Sequence, residues 1–146
     1  MKPYEYKPSD FLFQPIQIRT YKLEGYGLDW VGVGQFKDFR QFREGSNDLH
    51  GVGIQVTKRG IISEGYWENG KLNGQGRHIF SGGYCYIGGF KDNLFDGHGT
   101  FYWKYGRKYV GQLKENKRFG KGIQYNEDGT IEREGDWEDE MTILCV

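Results

Sequence analysis

All 24 glycines of the 146-residue chain fall between Gly25 and Gly135, and within that stretch they keep a beat. Segments beginning at Ser63, Tyr86 and Tyr109 align at a period of 23 residues. With the starting position written i, glycines stand at i+2 (Gly65, Gly88, Gly111), i+11 (Gly74, Gly97, Gly120) and i+13 (Gly76, Gly99, Gly122), and a large apolar residue at i+4 (Trp67, Phe90, Leu113). A repeat of this length signals an architecture whose units cannot bury an apolar face alone and must stack on one another. An earlier copy begins at Gly32 with Gly34 and Phe36 in place, but its Gly51-Val52-Gly53 pair arrives eight residues late. A partial copy begins at Arg133, one residue out of step, with Gly135 and Trp137.

Each unit reads as a β-hairpin. The segments YCYIGGF (84–90) and GHGTFYW (97–103) have strand composition, while KDNLFD between them, like ENGKLN one copy earlier, is polar and turn-like. Asn69-Gly70 and Asn73-Gly74 are dipeptides that tolerate the positive φ of tight turns. Composition agrees: 17% of residues are aromatic and there is no alanine, which disfavours helical bundles and suits the pleated surface of strands. The expected core comprises i+4 together with i+16, namely Val56, Ile79, Tyr102 and Tyr125.

The three prolines, Pro3, Pro8 and Pro15, all precede the first glycine. Residues 1–24 are therefore expected to be an extended, irregular arm, residues 25–140 the repeat body with copies starting near 32, 63, 86, 109 and 133, and residues 141–146 a tail. Twenty basic against twenty acidic side chains give zero net charge, so no overall field marks a nucleic-acid binder. Cys85 and Cys145 lie far apart with no C-x-x-C spacing, which argues against a zinc site or a disulfide framework. With no run long and apolar enough for a membrane span and no secretory signal, the expected location is cytoplasmic.

The pattern Y-x-G-x-[aromatic]-x6-G-x-G, as in YIGGFKDNLFDGHG (86–99) and YVGQLKENKRFGKG (109–122), resembles the MORN repeat (membrane occupation and recognition nexus) over roughly residues 32–139. Ser63 and Arg133 depart from it, standing where the family usually has tyrosine. The resemblance implies an all-β fold, an elongated single-layer meander of antiparallel hairpins forming a groove. It also implies a non-catalytic scaffold that binds protein partners in a multi-subunit assembly, possible contact with anionic phospholipid, and an association with cilia, flagellar radial spokes or the cytoskeleton. Two further roles it allows are a peripheral membrane adaptor and an accessory subunit of an enzyme complex.

Catalysis needs a nucleophile with a base and an orienting group, or a metal cage, and the chain offers only His50, His78, His98 and four serines. Neither catalytic residues, metal ligands nor a cofactor are expected. Three sets of residues are candidates for contact. Trp67, Tyr86, Phe90, Phe101, Tyr102, Trp103, Tyr109, Tyr125 and Trp137 are shared between core and a partner-binding groove. Phe39, Arg40, Phe42 and Arg43, in the eight-residue insertion of the first copy, pair aromatic with guanidinium as interface hot spots do. Lys104, Arg107, Lys108, Lys114, Lys117, Arg118 and Lys121 form a basic block against a single Glu115, followed over 126–140 by eight acidic residues and only Arg133. Such a block could meet lipid headgroups or an acidic partner.

Overall fold

The computed structural model describes residues 17–21, 30–36 and 49–142. Ten strands follow in chain order: β1 Gln17–Tyr21, β2 Trp30–Phe36, β3 Leu49–Thr57, β4 Ile62–Glu68, β5 Lys71–Ile79, β6 Cys85–Lys91, β7 Leu94–Tyr102, β8 Lys108–Lys114, β9 Lys117–Tyr125 and β10 Ile131–Thr142. Each pairs antiparallel with the next, giving one open meander in the order β1 to β10. Residues 17–21, assigned to the irregular arm from sequence, are thus a strand on the edge of the sheet. The rest of the arm, the insertion with Phe39 to Arg43, and residues 143–146 lie outside the described residues.

The glycine beat becomes a ladder across the sheet. Gly34, Gly53, Gly65, Gly76, Gly88, Gly99, Gly111, Gly122 and Gly135 are successive cross-strand partners from β2 to β10. The aromatic ring at position i lies over it: a Cβ on Gly99 would collide with the ring and hydroxyl of Tyr86, and one on Gly122 with those of Tyr109. The Tyr86 hydroxyl donates to the Gly89 carbonyl at 3.0 Å and the Tyr109 hydroxyl to that of Gln112 at 2.8 Å. Glycine is required there because the space a side chain would need is occupied by the core itself.

The tight turns are shorter than the polar hexapeptides suggested. Asn69-Gly70, Asp92-Asn93 and Glu115-Asn116 are two-residue turns with positive φ at both positions, the mirror-image type that matches strand twist. Asn73-Gly74 is not a turn. Gly74, with its repeats Gly97 and Gly120, takes positive φ inside a strand beside the register shifts at Gly65/Tyr66, Gly88/Phe90 and Gly111/Leu113. These are β-bulges. Turn asparagines also clasp neighbouring hairpins: Asn93 Oδ1 accepts from the Leu72 N–H at 2.7 Å while its own N–H donates to the Leu72 carbonyl at 3.0 Å. Asn116 grips Phe95 with the same pair of bonds.

Strand alternation then separates two faces. On one, positions i, i+4, i+9 and i+15 pack together: Ser63, Trp67 and Leu72; Tyr86, Phe90, Phe95 and Phe101; Tyr109, Leu113 and Gln124; with Leu49 before and Trp137 after, all 5% or less exposed. Position i+16 is on the other face, so Val56, Ile79, Tyr102 and Tyr125 are not the core expected of them; Val56 is 38% and Tyr102 39% exposed, and Ile79 and Tyr125 are half-buried. The bulge explains the slip, because it changes the count between a glycine and the strand beyond it and makes i+15, not i+16, the inward position.

Candidate docking surfaces

Of the nine aromatic candidates, six belong to the core. Trp67, Tyr86, Phe90, Phe101, Tyr109 and Trp137 are buried against one another and their neighbours, with ring centroids 4.0 Å apart for Tyr86 and Phe95 and 5.4 Å for Tyr109 and Trp137. Both buried tryptophans bond the preceding hairpin, Trp67 Nε1 donating to the Gly53 carbonyl and Trp137 Nε1 to that of Gly122, each at 3.0 Å. Trp103 is half-buried on the edge of this stack, 4.8 Å from Phe101. Tyr102 and Tyr125 face the opposite way, and the Lys108 ammonium sits 4.7 Å over the Tyr125 ring.

The second face carries two rows read off the register. One runs Val56, Ile62, Ile79, Cys85, Tyr102, Lys108, Tyr125, Ile131. Its neighbour runs Val33, Ile54, Glu64, Arg77, Ile87, Thr100, Val110, Ile123, Glu134. Ile87 is 47% and Ile131 54% exposed, with Val52 and Ile54 also open. Apolar residues on both faces of a sheet are the pattern of a sheet covered on both faces. Here the described residues bury the first face in its own core and leave the second open. Sequence reasoning passed over Val52, Ile54, Ile62 and Ile87; the available signal was the period of 2, since each stands one residue from a glycine-ladder or core position.

Folding brings the two charge blocks together. Strand β9, with Lys117, Arg118 and Lys121, pairs with β10, which carries Glu132, Glu134, Asp136 and Glu138; Lys121 is the cross-strand partner of Asp136. Arg107 holds Glu132 through bonds of 2.8–3.1 Å, and Gln124 donates to the same carboxylate at 2.7 Å. The Gln124 bond, reinforced by Arg107, holds the Glu132 carboxyl below the usual carboxylate range. Arg118 donates to Gln124 and lies 4.4 Å over the Trp137 ring, so it is part of the packing. Lys104, Lys114, Lys117 and Lys121 are exposed, with Lys114 5.4 Å over the Phe119 ring, and Lys108 is half-buried.

An open antiparallel meander of identically bulged hairpins, with one face consumed by its own core, is a repeat architecture. The MORN repeat family model matches residues 64–83, 86–104 and 109–131, three consecutive segments, so this stretch of the chain is built of MORN repeats. MORN repeats are protein- or membrane-lipid-interaction modules. No curated protein matches the sequence. Among the described residues no helix is long and apolar enough to cross a membrane.

Proposed function

We propose that the chain is a non-catalytic docking subunit which holds a segment of another protein against the second face of its sheet, the face of Ile54, Ile87, Tyr102 and Ile131. The single observation behind this is the exposure of an ordered, largely apolar surface on a scaffold whose other face is already filled. Large exposed apolar patches mark interaction sites. The aromatic groove anticipated from sequence is replaced in this proposal by the opposite face, because buried rings cannot make partner contacts. A ciliary or cytoskeletal assembly as the setting is part of the same proposal and rests on family analogy alone.

Protein is favoured over lipid by the charge arrangement. The acidic strand β10 lies one strand spacing, about 4.8 Å, from the basic strand β9 and opposes its attraction for anionic headgroups. The test compares wild type with Ile87→Glu/Tyr102→Glu in affinity capture from the native cells, alongside sedimentation with phosphatidylserine-containing vesicles. Docking predicts stoichiometric partner chains lost in the variant and no vesicle binding. Vesicle binding abolished by reversing Lys114, Lys117 and Arg118, with partner capture unaffected by Ile87→Glu/Tyr102→Glu, would replace this reading with a membrane adaptor.

A further inference from the structure

Strand β10 begins a hairpin that the described residues do not finish. In the last copy Arg133, Gly135 and Trp137 stand at i, i+2 and i+4. Strand β10 meets β9 through Gly122↔Gly135 and Gly120↔Trp137, as β8 meets β7 through Gly99↔Gly111 and Gly97↔Leu113. It is therefore equivalent to the first strands β4, β6 and β8, each of which has the second strand of its own hairpin on the far side. On the far side of β10 the sheet ends. The strand nevertheless keeps the shape of a paired one. Gly135 has φ +142°, close to the +148° of Gly65. A Cβ at Gly65, Gly88 or Gly111 would lie 2.5–2.9 Å from the glycine across the hairpin, whereas one at Gly135 would meet nothing within 4 Å. Arg133 also makes the bond of the ladder tyrosines: its guanidinium donates to the Asp136 carbonyl at 3.2 Å, as the Tyr86 and Tyr109 hydroxyls donate to those of Gly89 and Gln112.

We propose that the free edge of β10 binds an extended segment of another protein, which adds to the sheet as the second strand of this hairpin. A strand added to an open edge draws affinity from main-chain hydrogen bonds and selectivity from side chains. The completed hairpins show which side chains. Opposite Gly135 the segment needs glycine, because the ladder brings the two backbones too close for a Cβ. Opposite Glu134 it needs arginine or lysine. Glu64, at the same position of its copy, is matched by Arg77 with an ion pair of 2.7 Å, while Glu134 is exposed and makes no ion pair with a described residue. Asp136 and Glu138 extend the acidic side of the edge. A second copy pairing antiparallel about Asp136 would bring these carboxylates against one another, which is unfavourable. The site is the edge of the sheet and not its second face, so it goes beyond the docking reading and does not depend on it.

The probe is a synthetic peptide with the sequence of β5, Lys71–Ile79, which carries glycine and arginine at those two places. Titrated into the full chain and followed by amide NMR, it should give saturable shifts along β10, at Glu134, Gly135 and Trp137. A peptide with Gly76→Val should give none, because its side chain meets the β10 backbone. Glu134→Lys in the chain should weaken binding several-fold, and an Arg77→Glu peptide should restore it to that variant, which a loss of folding would not allow. Absence of saturable shifts with the unchanged peptide overturns the proposal, as do shifts confined to other strands or equal binding of the Gly76→Val peptide. Concentration-dependent shifts of β10 without peptide would overturn it in favour of a second copy. The docking test turns on Ile87 and Tyr102, which lie on other strands, so each reading can fail without the other.

Discussion

The two faces of the sheet are made by the same strands in the same register, yet they obey different rules. On the packed face every inward position is large or hydrogen-bonded, and glycine fills the places where a ring from the neighbouring strand lies flat. On the open face, β-branched and charged residues alternate along rows without meeting a second layer, as Glu64 and Arg77 do between Ile54 and Ile87 with an ion pair of 2.7 Å. The difference teaches that the residues which hold the sheet together and those left open for the proposed docking are separate in each repeat. Substitutions can therefore separate them.

The largest effect should come from crowding the ladder. Gly99→Val places a branched side chain where Tyr86 lies, and loss of the cooperative melting transition is expected; an unchanged melting temperature would break the packed-face account. Phe95→Ala removes the ring stacked on Tyr86 and should cost about 3–5 kcal/mol in chemical denaturation, typical of a buried aromatic truncated in a core. Burial lowers the His78 pKa from 6.5 to about 4. The unfolded chain therefore takes up a proton on this residue before the folded chain does, so its contribution is intact above pH 6.5 and drains away as pH falls toward 4. That loss is on the order of 3 kcal/mol, and His78→Phe should flatten this part of the pH–stability curve.

Smaller effects sharpen the comparison. Asn93→Gly keeps the positive φ of the turn but removes the acceptor for the Leu72 N–H, as Gly70 does naturally in the copy before, and should cost about 1 kcal/mol. On the open face Ile87→Glu should change stability by no more than about 0.5 kcal/mol, the usual range for a surface site away from special features. A cost as large as that of Phe95→Ala would mean that the second face is also core.

The period of 23, the hairpins and the i+4 core row were legible because glycine and large aromatics leave strong marks in a sequence. A further row was equally visible and passed over: Gly60, Gly83, Gly106 and Gly129, all at positive φ in the loops joining successive hairpins. The inward rows at i+9 and i+15 were hidden for a physical reason. Leu72 and Phe95 sit in stretches whose polarity reads as turn, and the bulge at Gly74, Gly97 and Gly120 resets the alternation that would have placed His78 and Phe101 inward. Charge misled in the same way, since blocks separated along the chain become adjacent strands. A cavity beside Ser63 could not be anticipated from sequence, because its walls are contributed by three hairpins.

Labelling chemistry on the open face tests the division between faces most directly. With Cys85 and Cys145 changed to serine, a cysteine introduced at Ile87 provides a single reactive thiol where the side chain is now 47% exposed. Its alkylation rate, measured in the isolated chain and again in the complex captured from native cells, should be fast in the first and at least tenfold slower in the second. Equal rates in the two states would show that the partner leaves this face uncovered and would contradict the account.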